Sequence, residues 1–585
     1  MTATHASAGR VGSAGALAPA SAGRRPPHTL LPLVAQRFRR DRVQLLAWVA
    51  GFALLAYVGN AAVVGTYGTE AQRVEVLKLI QSTPAVLMLR GTPQGPAADA
   101  FQFFLLFAFL GVLIGLMQTF LAVRHSRAEE ESGRAELVGA TPAGRSTPIV
   151  ATVIEGIVLS LVIGLVSAAG YLAGGADAAG SWLAGAALAV TGIAFLGVGL
   201  FCAQLMRTSR GANGLAAAVV TVSYVLRGLG DATGTVHPDG VSMTASWPSW
   251  LSPIGWGQAV APFSAGEQHG QRAWPLALGV LLGAGLVAVS LWMQAHRDVD
   301  SSVIPERPGR LHAPAGLAGP IGLAWRLQRN AVVGWMVAGA LFGLLIGALG
   351  QTMVDLVQAG NGAADDLGST LGNTLKSFAG PGAAGSFIDL FTAAMFSLVG
   401  IIAAVGAVQA MVRARQDEAA GTAEMVLATR ITRLRWFASY LVLGALTAVL
   451  VLAVAVLGAI VGLTRSAGVG DRAAVAAQAG LAQLPAVLVL LAVVALVFAV
   501  LPRATVWLGW VVLILAIGIG QFGGLLGLPD AVRDASPFSH TPVVVSVPGA
   551  GAVDWSAAWV MLALAVAVSA LAAVLVRRRD VALGG

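Results

Sequence analysis

Charge is scarce in this chain, and it comes with almost no lysine and almost no cysteine. Of 585 residues, 11% are Asp, Glu, Lys or Arg, two are lysines and one is a cysteine. The single thiol, Cys202, excludes an intrachain disulfide. A phosphate-binding loop closes on a lysine behind a glycine-rich turn. Lys78 lies in EVLKLI and Lys376 in NTLKSF, so neither can hold a nucleotide in that way. The 8 histidines are scattered, and no two sit at metal-ligand spacing on one helix, so no metal site is expected. No acid/base residues converge as a membrane-bound transferase would need, and no catalytic residue is assigned.

Apolar residues fill the space. They make up 57% of the chain, and the mean hydropathy is +0.78. Runs of about 20 apolar residues, long enough to cross a hydrocarbon core as helices, recur along the whole length. Twelve spans are expected near 43–66, 101–123, 148–172, 180–206, 212–229, 274–295, 331–350, 387–412, 436–463, 475–501, 504–528 and 555–576. The 73 glycines suit helices that approach one another closely. The expected class is therefore an all-α polytopic membrane protein. Its net charge of +8 belongs to topology: with alternate loops assigned to one side, 27 of the 36 Lys and Arg fall there. The positive-inside rule makes that side the cytoplasm, with both termini in it, and leaves no nucleic-acid footprint. Residues 1–29, rich in Ala, Gly, Ser and Pro, read as a disordered cytoplasmic tail without a secretory signal.

Against this background RAEEESGRAELVGATPAGR (127–145) packs seven charged side chains into nineteen residues. Laid without a gap over RQDEAAGTAEMVLATRITR (415–433), it is identical at nine of nineteen positions. These include Arg127/Arg415, Glu130/Glu418, Gly133/Gly421, Glu136/Glu424 and Arg145/Arg433. Chance would give about two, so the chain repeats itself. Other landmarks recur at nearly the same shift: Arg39, Arg42 and Trp48 with Arg326, Arg329 and Trp335, and Ser252-Pro253 with Ser536-Pro537. Arg297-Asp298-Val299 likewise matches Arg579-Asp580-Val581. Two parallel six-helix repeats are expected, 30–296 and 321–585, joined by a cytoplasmic linker at 297–320. LLPLVAQRFRR (30–40) sets apolar against basic residues, which suits an interfacial helix over 30–42; flanking topogenic charge is the simpler alternative.

Read as one helix, Glu129, Gly133, Glu136 and Ala140 share a face, and Asp417, Gly421, Glu424 and Ala428 reproduce it. Acids contribute little to orientation. One such loop would read as solvated charge, but two matched acidic faces point to docking of a soluble partner. Elsewhere, Glu155 sits near the inner boundary of span 3 and reads as a solvated or paired structural acid. Arg227 and Asp231 close span 5 as an interfacial ion pair or a gate element. Trp247, Trp250 and Trp256 cluster with Pro248 and Pro253 before span 6, as interfacial anchors or on short re-entrant helices. Asp365-Asp366 reads as solvated surface.

Together with SYVLRGLGD (223–231), WLSPIGWGQAVAPF (250–263), HRDVDSSVIPERPG (296–309) and LAWRLQRNAVVGW (323–335), the charged stretch resembles a known family. The chain is similar to the permeases of type-2 ABC exporters, and most of all to the double-length actinobacterial permeases of polyketide-antibiotic (tetronasin-type) exporters. The resemblance covers nearly everything after residue 30 and implies the type-2 exporter permease fold. It implies an elbow helix at 30–42 and coupling helices at 127–145 and 415–433. The contact with the ATPase would then involve Arg127, Glu129, Glu130, Gly133, Glu136 and Arg145, with Arg415, Asp417, Glu418, Gly421, Glu424 and Arg433 in the second copy. Outer-gate elements would lie at Arg227, Asp231, Trp247, Trp250 and Trp256.

The same resemblance implies two copies of a separate P-loop ATPase that bind ATP and Mg, and no cofactor in this chain. It further implies a lipophilic small-molecule substrate (antibiotic, drug or lipid) and a place in the lipids of the bacterial cytoplasmic membrane. Ala419-Ala420 stand where the first copy has Glu131-Ser132, so the two docking points need not be equivalent. A twelve-span, ion-coupled secondary efflux transporter is the alternative. Against it, an acidic segment rather than a Gly-x-x-x-Asp-Arg-type basic motif follows span 2, and midplane carboxylates are scarce.

Overall fold

Between Leu30 and Thr66 the only proline is Pro32, in the first helical turn, where its missing N–H leaves no bond unmade. The chain forms one helix of 37 residues there, α1 (Leu30–Thr66). The computed structural model describes residues 29–81, 84–141, 143–264, 270–296, 319–358, 387–463, 469–522, 529–544 and 553–580. The tail before residue 29, linker residues 297–318 and Asp365-Asp366 lie outside the described residues. The expected elbow helix at 30–42 is not a separate element. It is the first turns of α1, because nothing in the sequence between Arg37 and Trp48 interrupts the backbone ladder.

Two compact units make up the chain, Met1–Glu306 and Arg307–Gly585. Twelve of the described helices are long and apolar enough to cross a membrane, six in each unit. The protein is thus an all-α polytopic membrane protein, as lipid demands of a chain whose backbone groups must be satisfied internally. In the first unit α1 is followed by α2 (Glu70–Gln81), α3 (Pro84–Arg90) and α4 (Ala98–Arg124). Next come α5 (Arg127–Glu131), α6 (Arg134–Gly139), α7 (Thr147–Ala173), α8 (Ala178–Leu205) and α9 (Ser209–Ala232). A two-stranded hairpin, β1 (Thr235–Val236) and β2 (Met243–Thr244), leads through a 3-10 turn (Trp247–Leu251) to α10 (Pro253–Ala259) and α11 (Pro275–His296).

The second unit contains α12 (Pro320–Gln358), α13 (Phe387–Ala419), α14 (Thr422–Leu427), α15 (Arg433–Gly462), α16 (Val469–Val500), α17 (Thr505–Phe522), α18 (Asp530–Arg533) and α19 (Ser556–Arg578). The most enclosed spans are α4 and α8 in the first unit and α13 and α16 in the second. In lipid there is little hydrophobic drive between helices, so close van der Waals packing of small residues takes its place. The pair α12 and α15 shows how close. A methyl group on Gly343 would collide with the carbonyl oxygen of Ala455, and one on Gly347 with that of Ala459. Glycine at a four-residue spacing is what lets these two backbones touch.

Candidate functional site

The charged stretch of the first unit is not one helix. Gly133 takes φ +72° and ends α5, and Gly421 takes φ +74° and ends α13. Residues with a Cβ avoid that region, so a glycine in mid-pattern is where the chain can turn. The coupling helices expected over 127–145 and 415–433 are therefore corrected. The first stretch forms α5 and α6, ending at Gly139; the second forms the last turn of α13 followed by α14, ending at Leu427. The breaks also undo the expected shared faces. Glu129 and Asp417 turn inward, while Glu136 and Glu424 stay exposed.

Inward groups are tied down. Arg37 donates to Glu129 (3.1 Å), to the Thr152 hydroxyl (2.6 Å) and to the His125 carbonyl (3.1 Å). Buried Arg127 donates to Glu130 (2.7 Å) and to the Ala203 carbonyl (2.9 Å). Glu131 accepts from the Ser209 amide at the start of α9 (2.8 Å). In the second unit Asp417 accepts from the Tyr440 hydroxyl (2.7 Å) and pairs with Arg413 (2.8 Å). Buried Glu418 pairs with Arg579 (2.9 Å) and Arg415 (3.6 Å), and Arg579 lies over the Phe498 ring.

Outward, each segment shows an acid beside a large apolar side chain: Glu136 beside Leu137 (73% exposed) and Glu424 beside Met425 (69% exposed). An open hollow of about 400 Å³ next to α14 is lined by Glu424, Leu427, Ala428, Ile431, Thr432 and Arg433. Arg145 is exposed in the turn before α7, and Arg433 opens α15 and faces Asp580 (3.5 Å).

The fold also gathers residues that no sequence motif joined. Asp41 of α1 meets His125, just past α4, at 2.7 Å, and Glu155 of α7 lies 3.6 Å from the same imidazole nitrogen. Arg124 holds the other oxygen of Asp41 (2.7 Å). Glu155 is fully buried, so it is not the solvated acid that was one of its expected readings. The one available signal was Asp41 itself, a lone acid in the basic run RFRRDR and in all of α1.

At the opposite end of the first unit, Arg227 and Asp231 form an i, i+4 pair at 2.7 Å, and both are fully buried. The expectation of an interfacial pair is corrected, because two elements cover it. Arg227 donates to the Met88 carbonyl of α3 (2.7 Å), and Gln258 of α10 donates to Asp231 (2.9 Å) and Thr92 (2.6 Å). The helix α10 starts at Ser252, whose hydroxyl accepts from the Gly255 amide, and dips into the bundle until Ile254 packs on Gly111, mid-way along α4. Trp256 donates to the Trp250 carbonyl (2.7 Å) and Trp250 stacks on Trp274 at 5.2 Å, whereas Trp247 is largely exposed. The cavity here holds about 70 Å³, far below the roughly 300–1,000 Å³ of a drug-sized site. In the adjoining hairpin, partial burial works to raise the Asp239 carboxyl, but bonds from the Ser242 hydroxyl and the Val241 and Ser242 amides outweigh it and hold it below its usual range.

Comparison with known proteins now bears on these arrangements. The multidrug efflux system permease protein Rv1217c of Mycobacterium tuberculosis is 33% identical over 574 residues, which is 96% of this chain and 98% of that protein. The chain belongs to the multidrug efflux permease family. A family model described as the C-terminal domain of the multidrug efflux system permease Rv1217c matches residues 317–577. In this permease the match falls on the second unit, the one with α13 and α14, while the long relative spans both units.

Proposed function

We propose that this permease is the membrane-spanning subunit of an ATP-driven exporter, moving lipophilic small molecules out of the cytoplasm with two copies of a separate P-loop ATPase. The observation that carries the reading is the pair of exposed tips, Glu136-Leu137 and Glu424-Met425, each set off by a left-handed glycine. An apolar side chain with an adjacent acid suits insertion into a partner's groove with a charged rim. Each tip is backed by buried ion pairs, so a push on it is carried into the spans and not absorbed by a loose loop. The motifs around Arg227 and Trp250 support the narrower likeness to polyketide-antibiotic exporters, with a bulky lipophilic substrate. Cytoplasmic placement of both tips and both termini follows from the Arg distribution.

The test is co-expression with a P-loop ATPase. The chain alone should hydrolyse no ATP, and the complex should contain two ATPase copies. Glu136→Arg with Glu424→Arg should abolish co-purification while insertion stays normal, because orientation follows Arg and Lys. A charged contact buried at an interface is worth about 2–5 kcal/mol against less than about 1 at an exposed rim, so the loss in affinity should be orders of magnitude. ATP turnover by the isolated chain, or full ATPase binding by the double reversal, would refute the reading.

A further inference from the structure

We propose that Asp41, His125 and Glu155 form a binding site for one divalent transition cation of the Zn²⁺ class. Three separate elements meet there, α1, the residue following α4, and α7. The three residues are 3%, 0% and 0% exposed, and one donor atom of each lies within 4.8 Å of the others. Donor atoms around a tetrahedral ion with bonds of about 2.0–2.1 Å stand about 3.3 Å apart. The distances here, 2.7 Å from His125 Nε2 to Asp41 and 3.6 Å to Glu155, bracket that spacing, so small side-chain rotations suffice.

A second observation points to a ligand. Glu155 is fully buried, yet neither of its oxygens accepts a hydrogen bond among the described residues. A buried carboxylate in that position requires a cation or a proton. Arg37 is the one enclosed guanidinium, and Arg40 and Arg124 reach Glu129 and Asp41 from positions 41% and 38% exposed; among the described residues no arginine forms an ion pair with Glu155.

His125 Nδ1 faces Glu129 at 3.5 Å, the carboxylate–histidine arrangement that turns Nε2 toward Asp41 and Glu155. One imidazole with carboxylate oxygens suits Zn²⁺ better than Ca²⁺ or Mg²⁺, which favour all-oxygen sets. The sequence repeat places Gln328, Arg413 and Leu443 at the corresponding positions of the second unit, and arginine cannot ligate. One ion per chain would fasten α1, α4 and α7 at the root of the first coupling segment alone.

The full chain, purified through a histidine-free affinity tag into lipid nanodiscs, is titrated with Zn²⁺ against a chromophoric chelator. One Zn²⁺ per chain is expected. Stoichiometric uptake should vanish in Glu155→Leu and in His125→Arg, which install the residue types that the second unit carries. Glu129→Gln should weaken binding about 10–100-fold. A wild-type chain without stoichiometric uptake overturns the proposal, as does a monodisperse Glu155→Leu variant that binds as tightly as wild type. X-ray absorption of the wild-type Zn²⁺ complex needs no variant: one imidazole with oxygen ligands is expected, and sulfur or several imidazoles would overturn the site.

Discussion

In the first unit the residue that follows span 2 is His125, facing Asp41, Glu129 and Glu155; in the second its counterpart is Arg413, paired with Asp417 beside Tyr440. Where the first unit has Arg37, Asp41 and Glu155, the second has Ala324, Gln328 and Leu443, all buried. The same contrast holds at the far end. Span α9 encloses Arg227 and Asp231, whereas α17 contains no charged residue. Both units keep the left-handed glycine and the exposed acid beyond it. What differs is how each root is held: by His125 among Asp41, Glu129 and Glu155 in the first unit, and by Arg413 on Asp417 in the second. The two related charged segments are thus anchored by different side chains.

The largest effect that would sharpen the contrast is at Arg227. Arg227→Leu leaves the Asp231 carboxylate buried without its main partner and should destabilise the first unit by about 3–5 kcal/mol. Adding Asp231→Leu, which makes α9 as apolar there as α17, should restore most of the loss. Thermal unfolding in nanodiscs reads both, and a single variant no worse than a surface change would break the comparison. Next come Gly133→Ala and Gly421→Ala. A methyl group would meet nothing within 4 Å at either glycine, so only the backbone conformation is at stake. Each should cost about 1–2 kcal/mol by the same measurement, and clearly unequal losses would show that the two breaks are not equivalent. The smallest is Glu131→Ala, which gives the first unit the residue the second has at Ala419. It should cost less than about 1 kcal/mol but speed amide hydrogen exchange at Ser209, whose N–H the carboxylate accepts.

Span number was legible in the sequence because lipid permits few solutions: about 20 apolar residues with internal hydrogen bonding. The internal match between 127–145 and 415–433 likewise singled out the glycines at which both segments turn. Its conformation was not legible. A glycine inside a helical pattern is compatible with a continuous helix, and only φ +72° at Gly133 and +74° at Gly421 separates Glu136 from Glu129 and Glu424 from Asp417. Periodicity could not tell α1 from an elbow followed by a span, since both have the same local pattern over 30–42.

Composition and pattern alone therefore determined that this chain crosses a membrane many times, has no lysine placed as in a P-loop, and carries two related charged segments between spans. Side-chain company was decided elsewhere. Asp41 and His125 lie 84 residues apart, and no local rule relates them. They meet, with Glu155, because α1 and α7 pack beside the C-terminal end of α4 and bring these buried polar groups within reach of one another. Likewise Arg227 reads as an interfacial charge until α3 and α10 fold over it. Which charges face water and which are sealed inside depends on the packing of distant helices, which is a property of the tertiary structure.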